Sequence, residues 1–185
     1  MKAQAIVFEA PKSITVRTLE LAPMGARDVE VAVSFSGIST GTERMLWTGT
    51  MPPFPGLGYP LVPGYEGVGE IVEAGSESGR TVGDLVYIAG SRGFTDARGL
   101  FGGQASLVVV PGTKTVGLAP SLGENGALFA LAATAHNALC AVAPGVSPRD
   151  VPELLPELIV GHGALGRLIA RLVVLYGGKR PTVWE

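Results

Sequence analysis

The chain has 185 residues, 46% of them hydrophobic and 16% charged, with 14 Lys and Arg against 16 Asp and Glu and a formal net charge of -2. That hydrophobic content excludes a disordered chain, and the absence of any basic run excludes the electrostatic footprint needed to track phosphates along nucleic acid. One cysteine, Cys140, closes no intrachain disulfide and builds no multi-thiolate zinc site, which points to a reducing, cytoplasmic compartment.

Residues 1–10 carry Lys2 and a short apolar run broken by Glu9, too short for a secretory signal, so the sequence reads as a mature start. From Lys2 to about Leu118, short runs rich in Val and Ile are cut at intervals by Gly and Pro, the pattern of an all-β unit. Val29, Val31, Val33 and Phe35 alternate with Glu30, Ala32, Ser34 and Ser36, which predicts a strand with one buried face. Similar runs predict strands at 14–19, 67–73, 85–88 and 106–110. A short helix is predicted at 42–47, and the five prolines of residues 51–63 predict a stiff, irregular loop.

After Pro120 the composition changes. Residues 124–143 are rich in Ala and Leu and nearly free of β-branched residues, which predicts one long buried helix. It falls short of the ~20 apolar residues that span a bilayer, and Thr134, His136 and Asn137 interrupt it. A proline-rich connector follows, then a predicted strand at 157–160, a glycine turn and a helix at 164–176. In that helix Leu165, Leu168, Ile169, Leu172, Val173 and Tyr176 share one face, with Arg167 and Arg171 on the other. Another strand begins at Pro181. The expected organisation is a β domain over 1–123, a linking helix and connector over 124–150, and an incomplete nucleotide-binding domain over 151–185.

The string GHGALG places Gly161, Gly163 and Gly166 after a predicted strand and at the opening of a predicted helix. That context gives the glycines a job: a tight turn, close approach of the backbone to a pyrophosphate, and close packing of helix on strand. Glu185, 19 residues beyond Gly166, stands where an acid is expected to hold the ribose hydroxyls of NAD and to repel the 2′-phosphate of NADP. A strand, a helix and a strand leave sheet faces and an edge uncovered, so the nucleotide-binding unit is expected to be truncated.

The order of parts, together with PLVPGYEGVGEIVEAG, VGDLVY and SGISTGTE, resembles the medium-chain dehydrogenase/reductase superfamily. The resemblance implies an N-terminal all-β GroES-like barrel or sandwich, followed here by the first β-α-β unit of an α/β Rossmann domain. Where zinc-dependent members carry Cys and His, this chain has Ser39 or Thr40 and Tyr65, while Glu66 is kept. Hydroxyls do not replace thiolate and imidazole on zinc, so a zinc-free enzyme with no metal site is expected. The strings SGISTGTERMLWTGTMPPFPGLGYPLVPGYE, RGLFGGQAS and PTVWE are similar to the branch of that superfamily that acts on (bacterio)chlorophyllides in bacteriochlorophyll biosynthesis. This similarity implies NAD-dependent oxidation of a hydroxyethyl substituent to an acetyl group.

Such an oxidation needs a hydride acceptor, a base for the hydroxyl proton and stabilisation of the developing alkoxide. Without zinc the last two fall to side chains near the usual metal position: Ser39, Thr40, Thr42, Glu43, Tyr65 and Glu66. We assign Tyr65 to the substrate hydroxyl, Thr42 or Ser39 to a second contact, and Glu66 to orientation; the alternative, that Tyr65 fills the volume of an absent metal site, stands beside it. Residues 45–65 hold Trp47, Phe54, Tyr59 and Tyr65, four of the chain's twelve aromatics, with Met51, and are the expected seat of a large flat ligand. Core packing is the alternative for each of them taken singly.

Thr134 lies where the resemblance brings the linking helix to the nicotinamide. His136 and Cys140 read as a core pair. Arg44, Arg92 and Arg98 are the candidates for a pigment carboxylate, each by default a solvated charge. Two rival functions are a zinc-free quinone or enone reductase using NADPH, against which Glu185 argues, and a non-catalytic chlorin-binding module, which dependence of the pigment's spectrum on NAD separates from a dehydrogenase.

Overall fold

The computed structural model describes all residues, 1–185, and the chain divides into two units, residues 1–127 and 128–185. In the first unit β1 (Lys2–Ala10) and β2 (Ser13–Glu20) form an antiparallel hairpin. The other strands are β3 (Asp28–Ser36), β4 (Gly67–Ala74), β5 (Leu85–Ile88), β6 (Leu107–Pro111) and β7 (Thr115–Gly117), in a curled antiparallel sheet of order β6-β3-β4-β5-β7. Two register shifts between β3 and β4 bend the sheet, as bulges do. Isolated bridges, among them Ala5 to Ala105 and Phe8 to Leu61, tie the hairpin to the loops of the sheet. This is the GroES-like architecture expected from the sequence.

At the start of β3 Val29 and Val31 are fully buried with Val7, Leu19, Ile71, Val86, Ile88 and Val108, as the periodicity predicts, but Glu30 between them is buried as well, so both faces are covered there. Its end departs from the pattern: Phe35, still paired with Val68, is exposed beyond a register shift between Val33 and Phe35. Strand β7 was not foreseen; three residues carry too little periodicity to read. The short helix α1 (Thr42–Thr48) closes on Gly49, whose φ of 74° is the left-handed C-cap that glycine adopts freely.

The single long helix expected over 124–143 is broken. Residues Pro120–Leu128 form 3-10 turns interrupted at Gly123 (φ 48°, ψ -129°), and the α-helix proper, α2, spans Phe129–Cys140. The reason lies in packing: a Cβ on Gly126 would come within 2.5 Å of Leu118 Cδ1 and 3.0 Å of Val68 Cγ2, so this stretch lies tight on its own unit's core.

In the second unit β8 (Leu158–Val160) pairs in parallel with β9 (Thr182–Trp184), and α3 (Ala164–Leu175) is the crossover between them. Its apolar stripe buries Val173 and brings Ile169, Leu172 and Tyr176 onto Leu139 and Leu155. No helix is long and apolar enough to cross a membrane.

Candidate active site

The first unit gathers its chemistry where β3 leaves the sheet. The loop 37–41 turns back into α1, and Ser39 holds that turn: Thr42 N donates to Ser39 Oγ (3.3 Å) and Glu43 N to Ser39 O (3.0 Å). Ser39 is therefore engaged in the turn that leads into α1, whose N-cap is Gly41. Thr42, one residue into the helix, aims its hydroxyl at Tyr65, with Thr42 Oγ1 and Tyr65 Oη 3.5 Å apart. The Tyr65 ring meets Phe101 edge-on at 5.2 Å between centroids, and Tyr87 Oη donates to Tyr65 O at 2.6 Å. Burial, with the Glu66 and Tyr65 charges behind it, pushes the Tyr87 phenol up to about 12, so this group stays a fixed donor.

Beneath these hydroxyls lie two buried carboxyl groups. Glu66 is 6% exposed and Glu43 5%, and Glu66 Oε1 and Glu43 Oε2 have no hydrogen-bond partner. Gly37 makes room for one of them: its N donates to Glu66 O (2.9 Å), and a Cβ there would stand 2.1 Å from Glu66 Oε2. Burial raises the Glu66 pKa. Burial also raises that of Glu43, opposed by backbone hydrogen bonds of Glu43 and Ser39 and reinforced by the Glu66 charge. In both, burial disfavours the charged form, and a carboxyl that takes up a proton can donate as well as accept hydrogen bonds.

The donor set does not fit zinc. No three His, Cys, Asp or Glu side chains converge anywhere in the chain, and this loop offers only hydroxyls and carboxyls.

The expected substrate cluster is dispersed. Tyr59 and Met51 pack with Phe8, Leu46, Leu61 and Leu100, and the Tyr59 hydroxyl donates to Leu46 O, so both belong to the core. Trp47 and Phe54 remain exposed. Dense aromatics in a sequence do not reveal which rings the proline loop turns inward. His136 and Cys140 are a surface pair, not the expected core pair: His136 is exposed, with Nδ1 2.9 Å from Tyr176 Oη and Nε2 3.5 Å from Cys140 Sγ. Arg44, Arg92 and Arg98 are all exposed.

In the second unit the glycine turn joins the end of β8 to the start of α3. Gly161 has φ +97°, and its N donates to Trp184 O at 2.8 Å, which sets Glu185 beside the turn. A Cβ on Gly166 would stand 2.1 Å from Gly161 O, whereas a Cβ on Gly163 would meet nothing within 4 Å. Gly163 caps α3 without a side-chain acceptor, leaving the first amides of the helix open to an anion. Thr134 Oγ1 donates to Ala130 O one turn back on α2 (2.9 Å).

Sequence reasoning passed over Gly37, Tyr87 and Phe101 and gave Glu43 no role of its own. Phe101 sits at φ +70°, a conformation no sequence pattern flagged. The burial of Glu43 was hidden by its place in the first turn of a helix, where an acid ordinarily faces water.

Residues 25–121 match the family model of the alcohol dehydrogenase GroES-like domain. The chain is 48% identical over 186 aligned residues to a Rhodobacter capsulatus protein named 2-desacetyl-2-hydroxyethyl bacteriochlorophyllide A dehydrogenase, covering 100% of this chain and 56% of the relative. The chain thus spans about half the length of the curated relative it matches. Among solved structures, a Sinorhizobium meliloti protein described as a zinc-binding dehydrogenase bound to NADP aligns with a TM-score of 0.72 at 25% identity, covering 99% of this chain and 55% of that one. An Escherichia coli protein described as a short chain alcohol dehydrogenase complexed with NADH aligns with a TM-score of 0.74 at 22% identity, covering 98% and 56%.

Proposed function

We propose that this chain, which belongs to the alcohol dehydrogenase family marked by the GroES-like domain within the medium-chain dehydrogenase/reductase superfamily, serves NAD-dependent, zinc-independent oxidation of the hydroxyethyl group of a (bacterio)chlorophyllide to an acetyl group. The observation that carries this reading is identity of 48% along the whole chain to a bacteriochlorophyllide dehydrogenase. The preference for NAD rests on Glu185, whose carboxylate beside the glycine turn accepts from ribose hydroxyls and repels a phosphate.

Gly161, Gly163 and Gly166 with the N-terminus of α3 hold the pyrophosphate, Glu185 holds the ribose, and Thr134 approaches the nicotinamide. Bound NAD supplies the hydride acceptor. The chain's own residues handle the hydroxyl proton. Tyr65 Oη hydrogen-bonds the substrate hydroxyl, and Thr42 Oγ1, 3.5 Å away, is the second contact. Thr42 suits that role better than Ser39, whose oxygen already accepts from Thr42 N in the turn before α1. Glu66, desolvated and short of a partner, orients the Tyr65 region and, with Glu43, offers a carboxyl to take up the released proton.

The test joins the chain at Glu185 to the C-terminal part of the Rhodobacter capsulatus relative and measures turnover of a 3-hydroxyethyl chlorin. Tyr65→Phe is expected to lower kcat by about 10²-fold or more, the usual contribution of a positioned proton-transfer group. Unchanged turnover would make Tyr65 a space-filler. Dialysis of the chimera against a chelator is expected to leave its activity intact, and a loss restored by zinc would refute the metal-free reading.

A further inference from the structure

Next to Tyr65, the first unit holds a cavity of about 470 Å³ between the loop after β5 and the turn after β6. Arg92 and Lys114 stand on its rim, Phe101 forms one wall, and Val110 and Ser91 lie at its buried side. None of its lining residues is acidic. The chain's ion pairs engage Lys2, Arg17, Arg27 and Lys179, and leave Arg92 and Lys114 out.

Both cations ride on braced backbone. Ser91 Oγ donates to Val109 O (2.8 Å) and accepts from Gly93 N (3.0 Å), which pins the residues on either side of Arg92 to β6. Arg80 Nε donates to Gly112 O (3.3 Å) and Arg80 Nη2 donates to Thr115 O, bracketing Lys114. Arg80 is thus spent on positioning the turn while Lys114 stays free. Phe101 is the shared wall: it lines the cavity and meets the Tyr65 ring edge-on.

We propose that this cavity is a carboxylate subsite, in which Arg92 and Lys114 bind the free propionate of the pigment while Phe101 packs against its macrocycle. The inference rests on the chlorophyllide reading given above and deepens it. Two unpaired cations with no acid nearby are complementary to a carboxylate, and an aromatic wall suits a flat apolar ring. The subsite makes the protein selective for the free acid over an ester, which has the same ring and hydroxyethyl group but no negative charge. It also distinguishes Arg92 from Arg44 and Arg98, the other two arginines the sequence offers, neither of which lines the cavity.

The experiment titrates the chain with a 3-hydroxyethyl chlorin bearing a free propionate and with its methyl ester, following pigment fluorescence. The acid is expected to bind about tenfold more tightly than the ester, the scale of one charge-assisted hydrogen-bonded pair. The double variant R92Q/K114Q is expected to erase that preference while leaving ester affinity and thermal unfolding as they were. Arg44→Gln is expected to change neither affinity. Equal binding of acid and ester by the unmodified chain, binding of neither, a preference that survives R92Q/K114Q, or a preference lost in Arg44→Gln would each overturn the subsite. The functional reading fails separately: a chimera that binds the acid selectively yet never oxidises it keeps the subsite and refutes the dehydrogenase.

Discussion

Gly163 and Gly166 sit three residues apart in one turn, yet alanine at the two positions is expected to do opposite things. At Gly166 the added Cβ would stand 2.1 Å from Gly161 O, against the 3.4 Å at which ordinary contact begins, so α3 and the turn must separate by about 1.3 Å. The obstacle is backbone, which cannot swing aside as a side chain does. Overpacking of this kind destabilises by ~1–3 kcal/mol, and for a chain of this size each kcal/mol lowers Tm by roughly 2–4 °C. At Gly163 the Cβ meets nothing within 4 Å and φ is -70°. There the entropy removed from the unfolded chain stabilises by ~0.4–1 kcal/mol, and the poorer helix cap offsets a similar amount. Gly163→Ala should therefore melt within a few degrees of the parent.

Cofactor binding reverses the order of interpretation. The open space at Gly163 is the one the pyrophosphate is proposed to use, so in the chimera Gly163→Ala is expected to weaken NADH binding while the fold stands. Gly166→Ala weakens it because the turn is deformed. The assay is NADH fluorescence titration beside thermal unfolding by circular dichroism. A Gly163→Ala chimera that binds NADH as tightly as the parent would refute the placement of the pyrophosphate. A Gly166→Ala chain with an unchanged Tm would refute the packing argument.

The remaining predictions concern the buried carboxyl groups. Glu30, Glu43 and Glu66 all have pKa values raised by burial above the ordinary 4.5, so between that value and their folded-state values the native chain holds more protons than the unfolded one. Their contribution to stability therefore rises as pH falls from neutral toward 4.5 and is an unfavourable one above the raised values. Thermal unfolding measured across that window is expected to show a shallower pH dependence in Glu66→Gln than in the parent, and an identical slope would contradict the assignment. Gly37→Ala, whose Cβ would displace the Glu66 carboxyl, is expected to destabilise by ~1–3 kcal/mol, read as a lower denaturant midpoint.

Much of the scaffold was legible because its signals are local. Val29 and Val31 in β3, the short helix at 42–47 and the glycines before α3 each announce themselves within a few residues. Ser39 or Thr40 and Tyr65 at the positions where the resembling zinc enzymes carry Cys and His were readable as well, from the strings around them. What escaped reading depends on contacts between distant segments. The partnership of Arg92 with Lys114 joins a turn before β6 to the turn after it, and the edge-on contact of Phe101 with Tyr65 goes with a backbone conformation that phenylalanine seldom adopts. The placement of Tyr59 and Met51 escaped for the same reason: composition announced an aromatic-rich loop, but only packing shows that these two side chains lie against Leu46 and Leu61.

The most direct test of the account is turnover by the chimera of a 3-hydroxyethyl chlorin acid with NAD and, in parallel, with NADP, followed through reduced nicotinamide absorbance and the pigment's red band. The account predicts NADH formation accompanied by a shift of the red band, with NADP far slower. Pigment binding without turnover of either cofactor would contradict it and leave a chlorin-binding module in its place.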